Sequence, residues 1–315
     1  MSPEHTQNPV FETIARGKLL LTGEYFVLDG AQALAMPVRF GQSLRVAPGE
    51  ESGSLSWTSL NDDGSNWFQA RFELPGLEVH KCSDAKTAET LRAILLACRR
   101  QNPNFSGKQQ GLDILTRNDF PREWGLGTSS TLIAALAKWA NVDPYRVLFD
   151  TMGGSGYDIA CAYAKGPLLY RLRNQVPEVQ DVSFRPPFLD SLYFVYLGKK
   201  QDSREGIRRY REQAGSDKGM SKRITELSTR FLGSATLPEL EAVIREHEEI
   251  VSDALGLPRA KELYFSDFQG EIKSLGAWGG DFVLATSAAG EAAVKAYFSK
   301  KGMAVVFNWS QMVSA

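Results

Sequence analysis

Small and hydroxylated residues concentrate in Pro121-Arg-Glu-Trp-Gly125-Leu-Gly127-Thr128-Ser129-Ser130-Thr131, and the apolar positions that follow (Leu132, Ile133, Leu136, Trp139) have helical spacing. Glycine lets a backbone approach a ligand closely, and the first turn of a helix presents unpaired N–H groups at the positive end of its dipole. The segment therefore predicts an anion cradle. The hydroxyls of Thr128, Ser129 and Ser130 add donors for phosphate oxygens and an oxygen ligand for magnesium, which makes nucleotide phosphate the expected occupant. The competing reading is an N-capped core helix after a tight turn, since Ser and Thr are ordinary caps.

The elements that must hold this cradle are partly visible in the hydrophobic patterning. Lys18-Leu-Leu-Leu21 predicts a buried strand, and Tyr25-Phe-Val-Leu28 before Asp29-Gly30 predicts a second strand entering a hairpin. Leu91, Ile94, Leu95 and Cys98 share one helical face within residues 87–100. Residues 49–66, rich in Ser, Gly and Asp, predict a surface loop or an edge hairpin. Asp143-Pro144 restarts a short helix, and Gly153-Gly154-Ser155-Gly156 breaks it ahead of Tyr157-Asp158. A strand is expected at 168–172, a connector at 177–187, and the first strand of a second lobe at 192–197. Thr236 and Glu239 have capping-box spacing at the start of a long amphipathic helix closed by Gly256 and Pro258, with His247 packed on its apolar face. A glycine turn at 276–280 leads into a further strand.

With 315 residues the chain exceeds a single typical core, and a boundary near Asp181 divides it into expected domains 1–181 and 182–315. A net charge of −1 gives no general attraction to nucleic acid or anionic membrane. Three cysteines, Cys82, Cys98 and Cys161, lack a C-x-x-C spacing and predict neither a disulfide framework nor a zinc site. The N-terminal residues lack a basic-then-apolar leader, and no apolar run is long enough to span a bilayer. A cytoplasmic protein, monomer or homodimer, is expected.

Three separated segments resemble, in order, the motifs of the GHMP small-molecule kinases: Arg16-Gly-Lys18-Leu-Leu-Leu-Thr-Gly23-Glu24-Tyr25-Phe-Val-Leu-Asp-Gly30, the 125–130 turn, and Lys273-Ser-Leu-Gly276-Ala277-Trp-Gly279-Gly280. Ser155-Gly156-Tyr157-Asp158-Ile-Ala resembles the catalytic-aspartate segment of that family's mevalonate and phosphomevalonate kinases. The resemblance implies an α+β, two-lobed GHMP kinase fold. Its N-terminal lobe would be ribosomal S5 domain 2-like, its C-terminal lobe ferredoxin-like, and the active site would lie in the cleft between them. Neither a Walker A sequence nor a strand-linked G-x-G-x-x-G is present, which argues against a P-loop NTPase and a Rossmann dehydrogenase.

The resemblance also assigns roles. Asp158 matches the aspartate that accepts or orients the acceptor proton, and Lys18 the lysine beside it that offsets charge. Gly125, Leu126, Gly127, Thr128, Ser129 and Ser130 match the ATP phosphate loop, with Ser129 on Mg2+. Glu24, Tyr25, Ser203, Gly276 and Ala277 match acceptor-side positions. The second magnesium ligand of mevalonate kinases, a glutamate, falls on Val147, and Asp150 is the nearest carboxylate. Trp124, Glu123 and Trp278 replace small residues of the motifs. Residues 204–211 form a basic helical stretch that is either a solvated face or a site for an anionic substrate. The expected activity is ATP-dependent phosphoryl transfer to a small anionic metabolite of the mevalonate or phosphomevalonate type. A sugar kinase, a diphosphomevalonate decarboxylase-like enzyme and a non-catalytic metabolite sensor remain alternatives.

Overall fold

The computed structural model describes residues 8–105, 110–199, 203–213, 218–276, 278 and 280–313. The chain forms two compact units, one made of residues up to 17, 40–122 and 127–162, the other of 18–39, 123–126 and 163 onward. Strands β1 (Phe11–Thr22) and β2 (Ala33–Pro48) contribute to both.

The first unit adds β3 (Ser54–Leu60), β4 (Asn66–Glu73), β5 (Glu78–Cys82), α1 (Ala85–Gln101), β6 (Leu112–Asn118), α2 (Thr128–Ala140), α3 (Pro144–Thr151) and α4 (Tyr157–Cys161). Its strands form a mixed sheet in the order β5-β4-β3-β6-β2, with β3 and β6 parallel and the other neighbours antiparallel. Asp84 caps α1 by accepting from Thr87 N–H at 2.7 Å, and Leu91, Ile94, Leu95 and Cys98 turn inward as their spacing predicts. They join Trp57, Phe68, Phe72, Ile114, Ile133 and Leu136 in one core.

The second unit adds β7 (Leu168–Arg173), β8 (Val176–Asp181), β9 (Leu192–Tyr196), α5 (Ser203–Gln213), α6 (Lys218–Gly233), α7 (Leu237–Leu255), α8 (Ala260–Tyr264), β10 (Ile272–Leu275), β11 (Phe282–Thr286), α9 (Glu291–Lys300), β12 (Val306–Asn308) and α10 (Trp309–Met312). The opening of β2 pairs with β7 and β7 with β8, and a separate antiparallel sheet runs β10-β11-β9-β12. Thr236 caps α7 by accepting from Glu239 N–H, Glu239 reaches back to the N–H of Ala235, and Gly256 ends the helix in the left-handed region.

Three expectations are corrected. Residues 26–29 form a 3₁₀ turn, not a strand, because Gly23 (φ +93°) and Tyr25 (φ +61°) reverse the chain and Val27 N–H closes onto the Gly23 carbonyl at 3.0 Å. A side chain at residue 23 would collide with Ala33, so only glycine fits. Residues 49–66 contain β3, which lies between β4 and β6 and is neither loop nor edge. Its polar Ser59 is satisfied inside, accepting from Trp57 Nε1 at 2.9 Å and Thr116 Oγ1 at 2.8 Å. The stretch 177–187 begins as β8, an edge strand in which Pro177 is tolerated. The boundary expected near Asp181 falls at the end of β8, inside the second unit.

Candidate active site

In the first unit the N-terminus of α2 is built differently from those of α1, α3 and α7. Asp84, Asp143 and Thr236 cap those helices with a side-chain oxygen, whereas α2 starts from Gly127 at φ +95° with no side-chain cap. Thr128, Ser129 and Ser130 are thus inside the first turn and not at the cap. Among the described residues nothing accepts from their N–H groups, and the hydroxyls of Ser129 and Ser130 are equally without partners. Ser129 is exposed. Deeper in the turn Thr131 Oγ1 lies 2.9 Å from both Gln42 Oε1 and the Thr128 carbonyl, which anchors the helix to β2. A ring of unpaired donors at the positive end of a thirteen-residue helix is the arrangement that receives an anion.

Asp158 is half-buried in the first turn of α4, which starts from Gly156 at φ +90° and packs against α2. Val147 is fully buried in the core. Asp150 is exposed and pairs with Arg100 at 3.5 Å, so a guanidinium already holds its carboxylate. Among the described residues no group of three or more His, Cys, Asp or Glu could hold a metal ion.

In the second unit Lys18 is buried near the end of β1. Its N–H donates to the Leu126 carbonyl at 3.0 Å and its Nζ to the Gly125 carbonyl at 3.1 Å, which places the ammonium on the residue two positions before the α2 cap. Gly125 (φ +66°) lies over the carboxylate of Asp281; a Cβ there would stand 2.3 Å from Oδ2. Trp124 packs on Tyr196, Phe282 and Phe307, and Tyr196 Oη donates to the Glu123 carbonyl at 3.2 Å. Trp124 thus fastens the glycine loop to the β9–β11–β12 face, with the Glu123 backbone carbonyl as a second tie.

The acceptor-side candidates also lie in this unit. Glu24 is buried against Lys273. Tyr25 Oη accepts from Trp278 N–H at 3.0 Å, and its ring stacks on Tyr210, whose hydroxyl donates to Asp29 at 2.6 Å. Burial pushes the Tyr25 hydroxyl up to about 12. Gly206 of α5 lies against that hydroxyl, 2.4 Å from where its own Cβ would stand. Trp278 is buried and its indole N–H donates to the Pro258 carbonyl at 3.3 Å, so it fills the interior. Gly276 has φ +73°. Ala277 lies outside the described residues, as does the side chain of Ser203, the residue that begins α5. In the basic stretch Arg209 donates to the Leu255 and Gly256 carbonyls at the end of α7, while exposed Arg208 pairs with Glu205 and Glu212.

Sequence reasoning missed Lys273, Glu248 and the depth of His247, which share one interior cluster with Glu24. The available signal was a lysine inside the otherwise apolar strand Ile272-Lys-Ser-Leu275.

No protein-family model matches the sequence, and no curated protein does. Solved structures do. The phosphomevalonate kinase of Streptococcus pneumoniae, in complex with phosphomevalonate and AMPPNP, superposes with a TM-score of 0.71 at 16% identity, covering 95% of this chain and 99% of that one. The mevalonate kinase of Methanococcus jannaschii gives 0.69 at 15% identity over 99% and 100% of the two chains. The galactokinase of Lactococcus lactis, complexed with galactose, gives 0.66 at 14% identity over 92% and 88%. The chain has the α+β fold that these small-molecule kinases share.

Proposed function

We propose that this chain is an ATP- and magnesium-dependent kinase acting on a small anionic metabolite of the mevalonate or phosphomevalonate type. The observation that carries the reading is the contact of Lys18 with the start of the phosphate-loop candidate: its ammonium sits on the carbonyl of Gly125, two residues before the Gly127 from which α2 begins, and among the described residues the first three N–H groups of α2 and the hydroxyls of Ser129 and Ser130 have no partner. Residues 125–130 would wrap the β- and γ-phosphates through backbone N–H groups. The exposed Ser129 hydroxyl, which has no partner among the described residues, fits one oxygen ligand of magnesium, which when bound neutralises phosphate charge. Asp150, exposed and 3.5 Å from Arg100, would have to leave that ion pair to serve as a second ligand.

Phosphoryl transfer needs positioned reactants, compensated phosphate charge and a destination for the acceptor proton. In this reading Asp158 takes the proton of the acceptor hydroxyl, and Lys18 offsets the negative charge that develops as it leaves. Glu24, Tyr25, Gly276 and Ala277 form the acceptor end, with Ser203 at the start of α5. Three cysteines, none in a disulfide among the described residues, suit a reducing cytoplasm.

A sugar acceptor is the second reading, supported by the fold shared with the Lactococcus lactis galactokinase. The test is ADP release from Mg-ATP with mevalonate, phosphomevalonate, galactose and a sugar phosphate. Turnover with mevalonate or phosphomevalonate is expected, and turnover with galactose alone selects the second reading. Nucleotide binding without ADP release on any acceptor rejects both in favour of a sensor.

A further inference from the structure

Gly23, Glu24 and Tyr25 are three successive residues, each held by a different partner. Gly23 N–H donates to His247 Nε2 on α7 at 3.0 Å, Glu24 Oε1 accepts from Lys273 Nζ on β10 at 2.6 Å, and Tyr25 Oη accepts from Trp278 N–H just past β10 at 3.0 Å. Tyr25 has φ +61° and ψ −46°, a conformation that a non-glycine residue keeps only when its surroundings over-determine it. The surroundings are ionisable. His247, Glu248, Lys273 and Glu24 are all at most 1% exposed, and Glu248 Oε2 accepts from Ser274 Oγ at 3.1 Å.

Such a cluster is a poor way to gain stability, because desolvating two carboxylates and an ammonium costs about as much as their attraction returns. Its return is geometric. We infer that Lys273, Glu24, Glu248 and His247 are positioning residues that hold the 23–25 turn against Trp278 for acceptor binding, and that this hold requires a proton on Glu248. The inference rests on the acceptor end proposed above.

The charge count gives the reason for the proton. His247 is neutral, since its Nε2 accepts from the Gly23 N–H, and burial holds its pKa well below the usual range. That leaves one ammonium for two carboxylates. Lys273 Nζ sits 2.6 Å from Glu24 and 3.5 Å from Glu248 Oε1, which has no hydrogen-bond partner among the described residues. With Glu248 protonated the interior is neutral and Lys273 stays on Glu24. When Glu248 ionises it competes for the same ammonium and loosens Glu24. Burial raises both carboxyls, Glu248 to about 7; Lys273 opposes the rise at each, at Glu24 through a direct hydrogen bond as well as its charge, and the Glu24 charge adds to the rise at Glu248. Other charges that reach α7 are engaged elsewhere: Arg223 and Arg230 of α6 pair with Glu246, Arg209 of α5 with the Leu255 and Gly256 carbonyls, and Arg245 with Glu271.

The test is a pH series on the whole chain and on Glu248→Gln, which keeps the shape and the Ser274 contact but cannot ionise. The KM for the acceptor in the unaltered protein is expected to rise roughly tenfold between about pH 6 and about pH 8.5 with the KM for ATP unchanged, whereas Glu248→Gln stays at the low value. Hydrogen exchange at the Gly23 and Trp278 amides, corrected for intrinsic rates, reads the same event without catalysis: protection falls across neutral pH in the unaltered protein and is constant in the variant. If no acceptor is phosphorylated, the kinase reading fails while exchange still decides the cluster. Equal pH dependence in both proteins, a flat profile in the unaltered one, or parallel changes in both KM values overturns the inference. Should Glu248→Gln not fold, the profile of the unaltered protein alone decides.

Discussion

Lys18 and Asp158 carry the chemistry proposed at the residue scale. Removing the carboxylate with Asp158→Asn should lower kcat by about 10²- to 10⁴-fold, the usual worth of a positioned general base, while ATP affinity measured by calorimetry stays put. Unchanged kcat would remove Asp158 from the proton step. Glu248 offers a second test, on stability. Its folded-state pKa of about 7 lies above the ordinary 4.5, so the native state holds the proton more tightly than the unfolded chain. Its contribution is therefore fully present below about pH 4.5 and is lost as pH rises through about 7. Thermal melts should show the unaltered protein losing stability relative to Glu248→Gln between those limits, and parallel curves would contradict the assignment. These residues differ in how legible they were. Lys18 and Asp158 stand inside local motifs, whereas the Glu24–Lys273 pair joins positions 249 apart, and no local pattern encodes such a contact.

At the scale of elements, helices were the readable part. The faces of α1 and α2, the capping box of α7 and its Gly256 stop follow from spacing that a 3.6-residue period makes visible. The apolar run at 26–28 was not readable as a turn, because continuous burial is compatible with strand and helix alike, and the reversal depends on a strained Tyr25. Nor was β3 readable as an interior strand, since its buried Ser59 is satisfied by the Trp57 and Thr116 side chains, a pairing that no local pattern reveals. Two substitutions test elements directly. Gly125→Ala places a methyl 2.3 Å from the Asp281 carboxylate at φ +66°, and should cost about 1–3 kcal/mol of stability and weaken ATP binding at least tenfold by titration calorimetry. Wild-type affinity would mean that the loop does not touch phosphate. Arg209→Met removes the guanidinium that closes α7 and should cost about 1 kcal/mol in urea unfolding without changing the acceptor KM. A raised KM would instead return that arginine to the substrate.

At the scale of the whole molecule, the fold is shared with kinases named for different small molecules at 14–17% identity, so the architecture alone names no substrate and the function must be argued from the site. The family resemblance rests on four short segments, and no family model matches the sequence. A net charge of −1 leaves ligand capture to local donors such as the α2 terminus. Binding of a non-hydrolysable ATP analogue at about a hundred times its Kd should therefore raise stability by about 2.7 kcal/mol, read as an increase in Tm. The most direct measurement of the central claim is transfer of a radiolabelled γ-phosphate from ATP to mevalonate or phosphomevalonate, with Lys18→Met and Asp158→Asn run alongside. The account predicts label in the small-molecule product with the unaltered protein and its loss in both variants. Label that stays in ATP with every acceptor, or that transfers equally well without Lys18 and Asp158, would contradict it.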